Sequence, residues 1–108
     1  MNEILQGTTP TLEIAIDTND FLVASVTKLE FTTWHNNNMT IHGLEDVEVD
    51  TEANSFKYKF TEAETLAMIP KKPLYYQLRF MFNDGTIVGT RQMSVQVTDL
   101  YSEETMTE

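Results

Sequence analysis

Apolar and polar residues alternate most clearly between residues 74 and 99. The first half of this stretch carries five core-facing apolar positions, namely Leu74, Tyr76, Leu78, Phe80 and Phe82. Residues 83–85, Asn-Asp-Gly, then supply side chains that tolerate the positive φ angles of a tight turn. The returning half carries three more core-facing positions, Met93, Val95 and Val97. The pattern predicts a β-hairpin, with a bulge near Gly89 and Thr90 because Ile87 and Val88 interrupt the alternation.

Shorter alternating segments occupy the rest of the chain. They cover residues 4–5, 12–16, 28–35, 39–42, 44–50 and 56–60. Residues 61–64, Thr-Glu-Ala-Glu, form a capping box, which predicts one short helix near 61–69 that ends at Pro70. About seven to eight short strands separated by turn residues predict an all-β, antiparallel β-sandwich. We expect it to occupy residues 1–101 as a single domain, followed by an acidic, flexible C-terminal tail at 102–108.

The composition excludes several classes of protein. The 108 residues include no cysteine, so the chain has no disulfide, no thiolate metal site and no cysteine nucleophile. The formal net charge of −10 argues against direct nucleic-acid binding, since phosphates would be repelled. The sequence lacks an apolar run of about 18 residues and the features of a signal peptide, so we expect no contact with a membrane and a soluble protein that is intracellular where it is made.

Charge is distributed unevenly along the chain. Residues 1–56 contain ten acidic residues and one basic residue, whereas residues 57–91 contain six basic residues and three acidic ones. Such asymmetry suits head-to-tail contacts between copies of the protein, although solvated faces account for most patterns of this kind.

Candidate catalytic and metal-binding residues are few. His35 and His42 flank an asparagine-rich loop and, with Asp46 or Glu45, form a conceivable metal site, but two solvated histidines are the favoured interpretation. The alternating acids of residues 46–50 lack the glycine and distal glutamate of a helix–loop–helix calcium site. The serines lack the glycines of a nucleophile elbow. We therefore predict no catalytic, cofactor-binding or metal-binding residues, and no enzyme.

Three large side chains are candidates for protein–protein contact. Trp34 departs from the core-facing positions of its strand, so it is either an exposed anchor or, turned by a bulge, a tryptophan of the sandwich core. Tyr75 and Met81 lie on the outward face of the predicted hairpin. Their presence indicates that a partner covers this face, and a second copy is the simplest candidate.

Both ends of the chain resemble a family of phage domains. Residues 4–14 read Ile-Leu-Gln-Gly-Thr-Thr-Pro-Thr-Leu-Glu-Ile, and residues 76–80 read Tyr-Gln-Leu-Arg-Phe, followed by Asn-Asp-Gly at 83–85 and Val-Gln-Val at 95–97. These segments are similar to the first and last strands of small immunoglobulin-like domains of tailed phages and prophages of Gram-positive bacteria. The N-terminal domain of siphophage upper-baseplate proteins is the best-known relative. The resemblance implies an immunoglobulin-like sandwich and a place in the virion.

Two functional hypotheses follow, with a third that is weaker. The first is a non-enzymatic structural or accessory protein of a phage tail, baseplate, neck or head surface. It would be present in the host cytoplasm before assembly and would bind copies of itself, as a homo-oligomer, or a larger virion protein. The alternative is an acidic, phage-encoded inhibitor of a host nucleic-acid-binding protein, similar to an anti-CRISPR mimic, whose carboxylates imitate phosphates. The residues that would form this row are Glu45, Asp46, Glu48, Asp50 and Glu52. The third hypothesis is a calcium- or sugar-binding module with Trp34 beside residues 36–38.

Overall fold

The computed structural model describes residues 3–99, which form nine strands, one α-helix and two short 3-10 turns. The strands are β1 (Glu3–Leu5), β2 (Thr11–Ala15), β3 (Val26–His35), β4 (Asn38–His42), β5 (Glu48–Asp50), β6 (Ser55–Lys59), β7 (Leu74–Phe82), β8 (Ile87–Gly89) and β9 (Met93–Thr98). The helix is α1 (Glu62–Leu66), and the 3-10 turns are Val23–Ser25 and Leu44–Asp46. The predicted acidic tail at 102–108 and the end of the predicted domain at 101 lie outside the described residues.

The strands form two sheets. The larger sheet has the order β1-β9-β7-β3-β4, with β8 also paired to β7, and the smaller sheet has the order β2-β6-β5. Every described pairing is antiparallel except that of β1 with β9. This is the strand order of an immunoglobulin-like sandwich in which a hairpin strand extends one sheet. The predicted fold class is therefore confirmed.

The core lies between the inner faces of the two sheets. Its fully buried side chains include Ile4, Val23, Phe31, Phe56, Leu78 and Phe80. Phe56 of the smaller sheet stacks on Phe80 of the larger sheet with ring centroids 5.3 Å apart. Phe31 of the larger sheet contacts Tyr58 of the smaller sheet with the rings tilted by 51° and their centroids 5.2 Å apart. Aromatic contacts of this kind add to the burial of apolar area, so they hold the two sheets face to face.

The predicted hairpin and its bulge are both present. Arg79 pairs with Gly89 and Tyr76 pairs with Met93, so three residues of the returning chain face two residues of β7. Thr90 lies in this bulge, where its backbone N–H donates to the Leu78 carbonyl and its hydroxyl accepts from the Leu78 N–H. The bulge divides the predicted last strand into β8 and β9, which is why nine strands are found instead of about seven to eight.

The capping box at the start of α1 is also present. The Thr61 hydroxyl accepts from the Glu64 N–H at 3.1 Å, and the Glu64 carboxylate accepts from the Thr61 N–H at 2.8 Å. The other oxygen of the same carboxylate accepts from the Tyr58 hydroxyl at 2.8 Å, which joins the helix to β6. Burial and this hydrogen bond raise the pKa of Tyr58 well above its usual range. The helix is shorter than predicted and ends at Leu66.

The prediction of one continuous strand over 44–50 is wrong. Residues 44–46 form a 3-10 turn, because the Asp46 carboxylate accepts a hydrogen bond from the Gly43 N–H at 3.1 Å. An aspartate that bonds the backbone three residues earlier favours a turn over a strand ladder. Only Glu48–Asp50 pairs as a strand, at the edge of the smaller sheet.

Candidate protein-interaction surface

Trp34 lies on the surface, which decides between its two predicted positions. It is on the outer face of β3, is 41% exposed, and pairs with Tyr75 of the adjacent strand β7. The two rings are 5.7 Å apart between centroids and are tilted by 41°. Alternation places both side chains outward, because Thr33 and Leu74, their respective neighbours, are buried in the core. The structure thus brings together two of the three predicted contact residues.

Two further apolar residues extend this surface along β4. Met39 pairs with Trp34 and Ile41 pairs with Thr32, so both point outward with the tryptophan. They are 65% and 55% exposed, respectively. We call the four residues Trp34, Met39, Ile41 and Tyr75 the outer patch. Its nearest polar neighbours on the same face, Thr32, Gln77, Gln92 and Ser94, carry no charge.

The sequence analysis missed Met39 and Ile41, although a local signal for them exists. The asparagine-rich loop is a two-residue turn, in which Asn36 and Asn37 adopt φ angles of 48° and 67°. Such a turn is the type I′ connection that matches the twist of a hairpin, and it fixes the pairing of the two strands. With the turn recognised, Met39 falls opposite Trp34, and alternation along β4 puts Ile41 on the same face.

Met81 faces outward as predicted, but it lies at the other end of the sheet. It is six residues from Tyr75 along β7, or about 20 Å. Between them, Arg79 donates from Nε to the Glu30 carboxylate at 2.7 Å and forms an ion pair with it. Met81 pairs with Ile87 of β8, a second exposed apolar side chain. A charged pair therefore separates Met81 from the outer patch.

The predicted acidic row does not form a regular line of free carboxylates. Asp50 accepts hydrogen bonds from the backbone N–H groups of Glu52 and Ala53 and from Lys57 Nζ, which lies 2.9 Å away. The Ala53 hydrogen bond and the Lys57 ammonium hold the pKa of Asp50 below its usual range. Two members of the predicted row, Asp46 and Asp50, are thus engaged in local turns.

Lys57 compensates part of the remaining negative charge. Its ammonium lies 3.8 Å from both the Glu48 and Glu13 carboxylates, in addition to its contact with Asp50. These carboxylates raise the pKa of Lys57, with the Asp50 hydrogen bond as the largest cause. Glu45 lies in the turn that follows β4 and is exposed. The predicted row of unpaired charges at phosphate-like spacing is therefore reduced to Glu45, Glu52 and a partly screened Glu48.

The two histidines do not meet. His35 is at the turn end of β3, where its Nε2 accepts from the Ile69 N–H at 2.8 Å and its Nδ1 donates to the Pro73 carbonyl at 3.2 Å. His42 is at the opposite end of the hairpin and packs against Phe31 and Tyr58, with Asp46 3.8 Å from its Nδ1. Among residues 3–99, no three histidine, aspartate or glutamate side chains cluster as metal ligands would.

In the predicted sugar-binding platform of Trp34 and residues 36–38, at least one asparagine side chain is already engaged within the protein. The Asn36 side-chain oxygen accepts from Lys72 Nζ at 3.0 Å, which holds the turn against the connection before β7. Trp34 instead has apolar neighbours, Met39 and Tyr75, on its own face of the sheet.

No protein-family model matches the chain, and no curated protein is significantly similar to it. In the described part of the chain, no helix combines the length and the apolar character that a membrane span requires. Function is therefore inferred from the surface described above.

Proposed function

We propose that this protein is a non-enzymatic structural or accessory component of a phage or prophage particle, and that it acts by protein–protein contact. The outer patch is its docking surface, and the partner is a second copy or a larger virion protein. The protein would be present in the host cytoplasm before assembly and in the virion afterwards.

The single observation that carries this proposal is the exposure of a contiguous apolar patch on an otherwise strongly acidic chain. Trp34, Met39 and Ile41 are all at least 41% exposed and occupy adjacent positions on β3 and β4. Contiguous apolar surface of this kind marks interaction sites in soluble proteins, and tryptophan is enriched among the residues that dominate binding energy. A sandwich supports such a patch on a rigid sheet, so little conformational entropy is lost on docking.

The place in a virion is supported by the resemblance of residues 4–14, 76–80, 83–85 and 95–97 to the phage domains described above. The immunoglobulin-like strand order agrees with the fold that this resemblance implies. Within the described residues, the buried polar side chains Gln6, Asn54, Ser55 and Thr65 form internal hydrogen bonds.

The test is the composition of purified particles from the strain that encodes the chain. Mass spectrometry should find the protein in the particles in a fixed ratio to the other structural proteins. Replacing Trp34 with alanine should lower its incorporation by tenfold or more, because a central tryptophan anchor contributes about 2 kcal/mol or more to binding. Met81→Ala is the matched control, since Met81 is outward on the same sheet but outside the outer patch. Absence from particles would overturn the proposal.

The acidic inhibitor makes the opposite prediction. It would be absent from particles and would bind a basic host protein with an affinity that falls as salt is raised. Glu45→Gln and Glu48→Gln would abolish that binding, whereas Trp34→Ala would leave it unchanged. Since Asp46 and Asp50 are engaged in local turns, the surface supports this function less well than the contact module.

A further inference from the structure

Strand β4 is an unprotected edge of the larger sheet. Within residues 3–99 it pairs only with β3, so one side of its backbone has no strand beside it. Natural proteins protect such edges with charged residues, prolines or bulges. Three other edge strands carry acidic residues, namely Glu3 in β1, Glu13 in β2, and Glu48 and Asp50 in β5, while the uncharged edge strand β8 has only three residues. The five residues of β4, Asn-Met-Thr-Ile-His, include no formal charge at neutral pH and no proline.

The turn between β3 and β4 determines which backbone groups point to the open side. In a hairpin with a two-residue turn, the residues that flank the turn form a hydrogen-bonded pair, here His35 and Asn38. Hydrogen-bonded pairs alternate along an antiparallel ladder, so Thr40 and His42 also direct their backbone groups toward β3. The N–H and C=O groups of Met39 and Ile41 therefore point away from the sheet.

We propose that two copies of the protein pair through β4, antiparallel, about a two-fold axis at Thr40. In this register Met39 faces Ile41 of the second copy, and the two residues exchange both backbone hydrogen bonds. By symmetry, Ile41 and Met39 of the second copy also exchange two backbone hydrogen bonds, so four hydrogen bonds join the two strands. The axis lies at Thr40, the middle residue of β4, so the whole strand takes part in the pairing. The outward-pointing N–H and C=O groups of Met39 and Ile41 all form hydrogen bonds. It rests on the proposed function, because it names the second copy as the partner.

The side chains fit the same arrangement. Met39 and Ile41 are on one face of the strand, so each forms an apolar cross-strand pair with the other residue of the second copy. The two outer patches become one continuous surface across the joined sheets. The residues that approach the axis on this face are uncharged, which matters because the remainder of a chain of charge −10 would repel its copy.

The first experiment compares lysine substitutions at two equally exposed isoleucines. Ile41 is 55% exposed on β4, and Ile87 is 54% exposed on β8, which is also uncharged but only three residues long. Sedimentation equilibrium should find a dimer of the wild-type protein and of Ile87→Lys. Ile41→Lys should raise the dimer dissociation constant by about tenfold or more, because a buried isoleucine contact is lost and two lysines approach the axis.

A proline variant tests the role of the backbone. Ile41→Pro removes an N–H that points to the open side and leaves the bonds between β3 and β4 intact, so the monomer should keep its fold. Near-ultraviolet circular dichroism of Trp34 and the thermal unfolding midpoint report on that fold. We expect a folded monomer. A folded dimer that survives both Ile41→Pro and Ile41→Lys would overturn the proposal.

A cysteine variant tests the register, since the natural chain contains no cysteine. Thr40 would face the second copy's Thr40 as a non-hydrogen-bonded pair, with Cα atoms about 4.5 Å apart, which is within the range of a disulfide. Thr40→Cys should therefore form a covalent dimer on mild oxidation. Met39→Cys is the control: its copy is displaced by two positions along the ladder and should cross-link at least about tenfold more slowly.

The outcomes separate this inference from the proposed function. A wild-type protein that remains monomeric at all concentrations overturns the β4 pairing, and so does cross-linking that is faster through Met39→Cys than through Thr40→Cys. Neither result alters the expected presence of the protein in particles. Conversely, the protein could dimerise through β4 and yet be absent from particles. That result would support the β4 pairing and overturn the proposed function.

Discussion

Asn54 is the residue whose role is least visible in the sequence. It is the last residue of the polar turn between β5 and β6, yet it is 4% exposed and has a φ angle of 52°. Its side-chain NH₂ donates to the carbonyls of Ile16 and Phe21 at 2.9 and 3.0 Å, and its oxygen accepts from the Val23 N–H at 2.8 Å. One side chain thus organises the connection between β2 and β3.

Replacing Asn54 should be among the most destabilising single changes. Asn54→Ala leaves three backbone groups without their partner, at about 1–3 kcal/mol for each group that remains buried, so we expect a loss of roughly 3–5 kcal/mol. Asn54→Gly should cost less, because glycine adopts positive φ without strain. Urea unfolding measures both. Asn37→Gly is the matched control, with a positive φ but an exposed side chain, and should change stability by less than about 0.5 kcal/mol. Equal effects at both positions would contradict this account.

The sequence predicted which strand residues face inward or outward, but it did not predict the hydrogen bonds of Asn54. Both outcomes have the same physical reason. Strand faces follow from alternation, which is local, so Trp34, Tyr75 and Met81 were placed outward or left between two options. The partners of Asn54 are 31 to 38 residues away in the chain. Contacts of such long range depend on the finished packing of the two sheets.

Among the secondary-structure elements, those encoded by local sequence signals were predicted correctly. The bulge near Gly89 and the capping box before α1 are encoded within a few residues, and both are present. The segment 44–50 was mispredicted because its apolar residues alternate, whereas the bond from the Gly43 N–H to Asp46 closes a turn. Side-chain hydrogen bonding to the backbone prevailed over the hydrophobic pattern there.

The pairing of β5 with β6 should depend on pH through Asp50. The Ala53 N–H and the Lys57 ammonium lower the pKa of Asp50 in the folded protein below its ordinary value of 3.8. The stabilisation by the carboxylate is therefore fully present above that ordinary value and is lost as pH falls through the lower, folded-state pKa. Urea midpoints measured between neutral pH and about pH 3 should fall less steeply for Asp50→Asn than for the wild type.

Asp84 is a second carboxylate whose pKa is lowered in the folded protein, at a site separate from Asp50. The Thr86 N–H lowers the pKa of Asp84, whose carboxylate accepts from it at 2.9 Å in the turn between β7 and β8. The double variant Asp50→Asn with Asp84→Asn should have the flattest acid dependence, because the two turns are separate and their effects add. An Asp50→Asn curve parallel to that of the wild type would show that this carboxylate is not linked to folding.

For the whole molecule, net charge and exposed apolar surface have opposite effects on self-association. The net charge of −10 keeps copies apart, while the outer patch and the open edge of β4 favour their association. The sequence predicted a covered outward face but suggested that acidic and basic regions of the chain could pair head to tail. The β4 pairing instead joins identical, uncharged segments of two copies that each carry a net charge of −10.

Salt should therefore strengthen the dimer. The screening length falls from about 30 Å at 0.01 M salt to about 8 Å at 0.15 M, so repulsion between the two acidic copies is reduced while the apolar contacts persist. We expect the dimer dissociation constant, measured by light scattering behind a sizing column, to fall several-fold over this range. The double variant Glu45→Gln with Glu48→Gln should form a tighter dimer at low salt and respond less to added salt. A dimer that weakens as salt is added would indicate contact between the acidic and basic regions, and would contradict a β4 interface between like-charged copies.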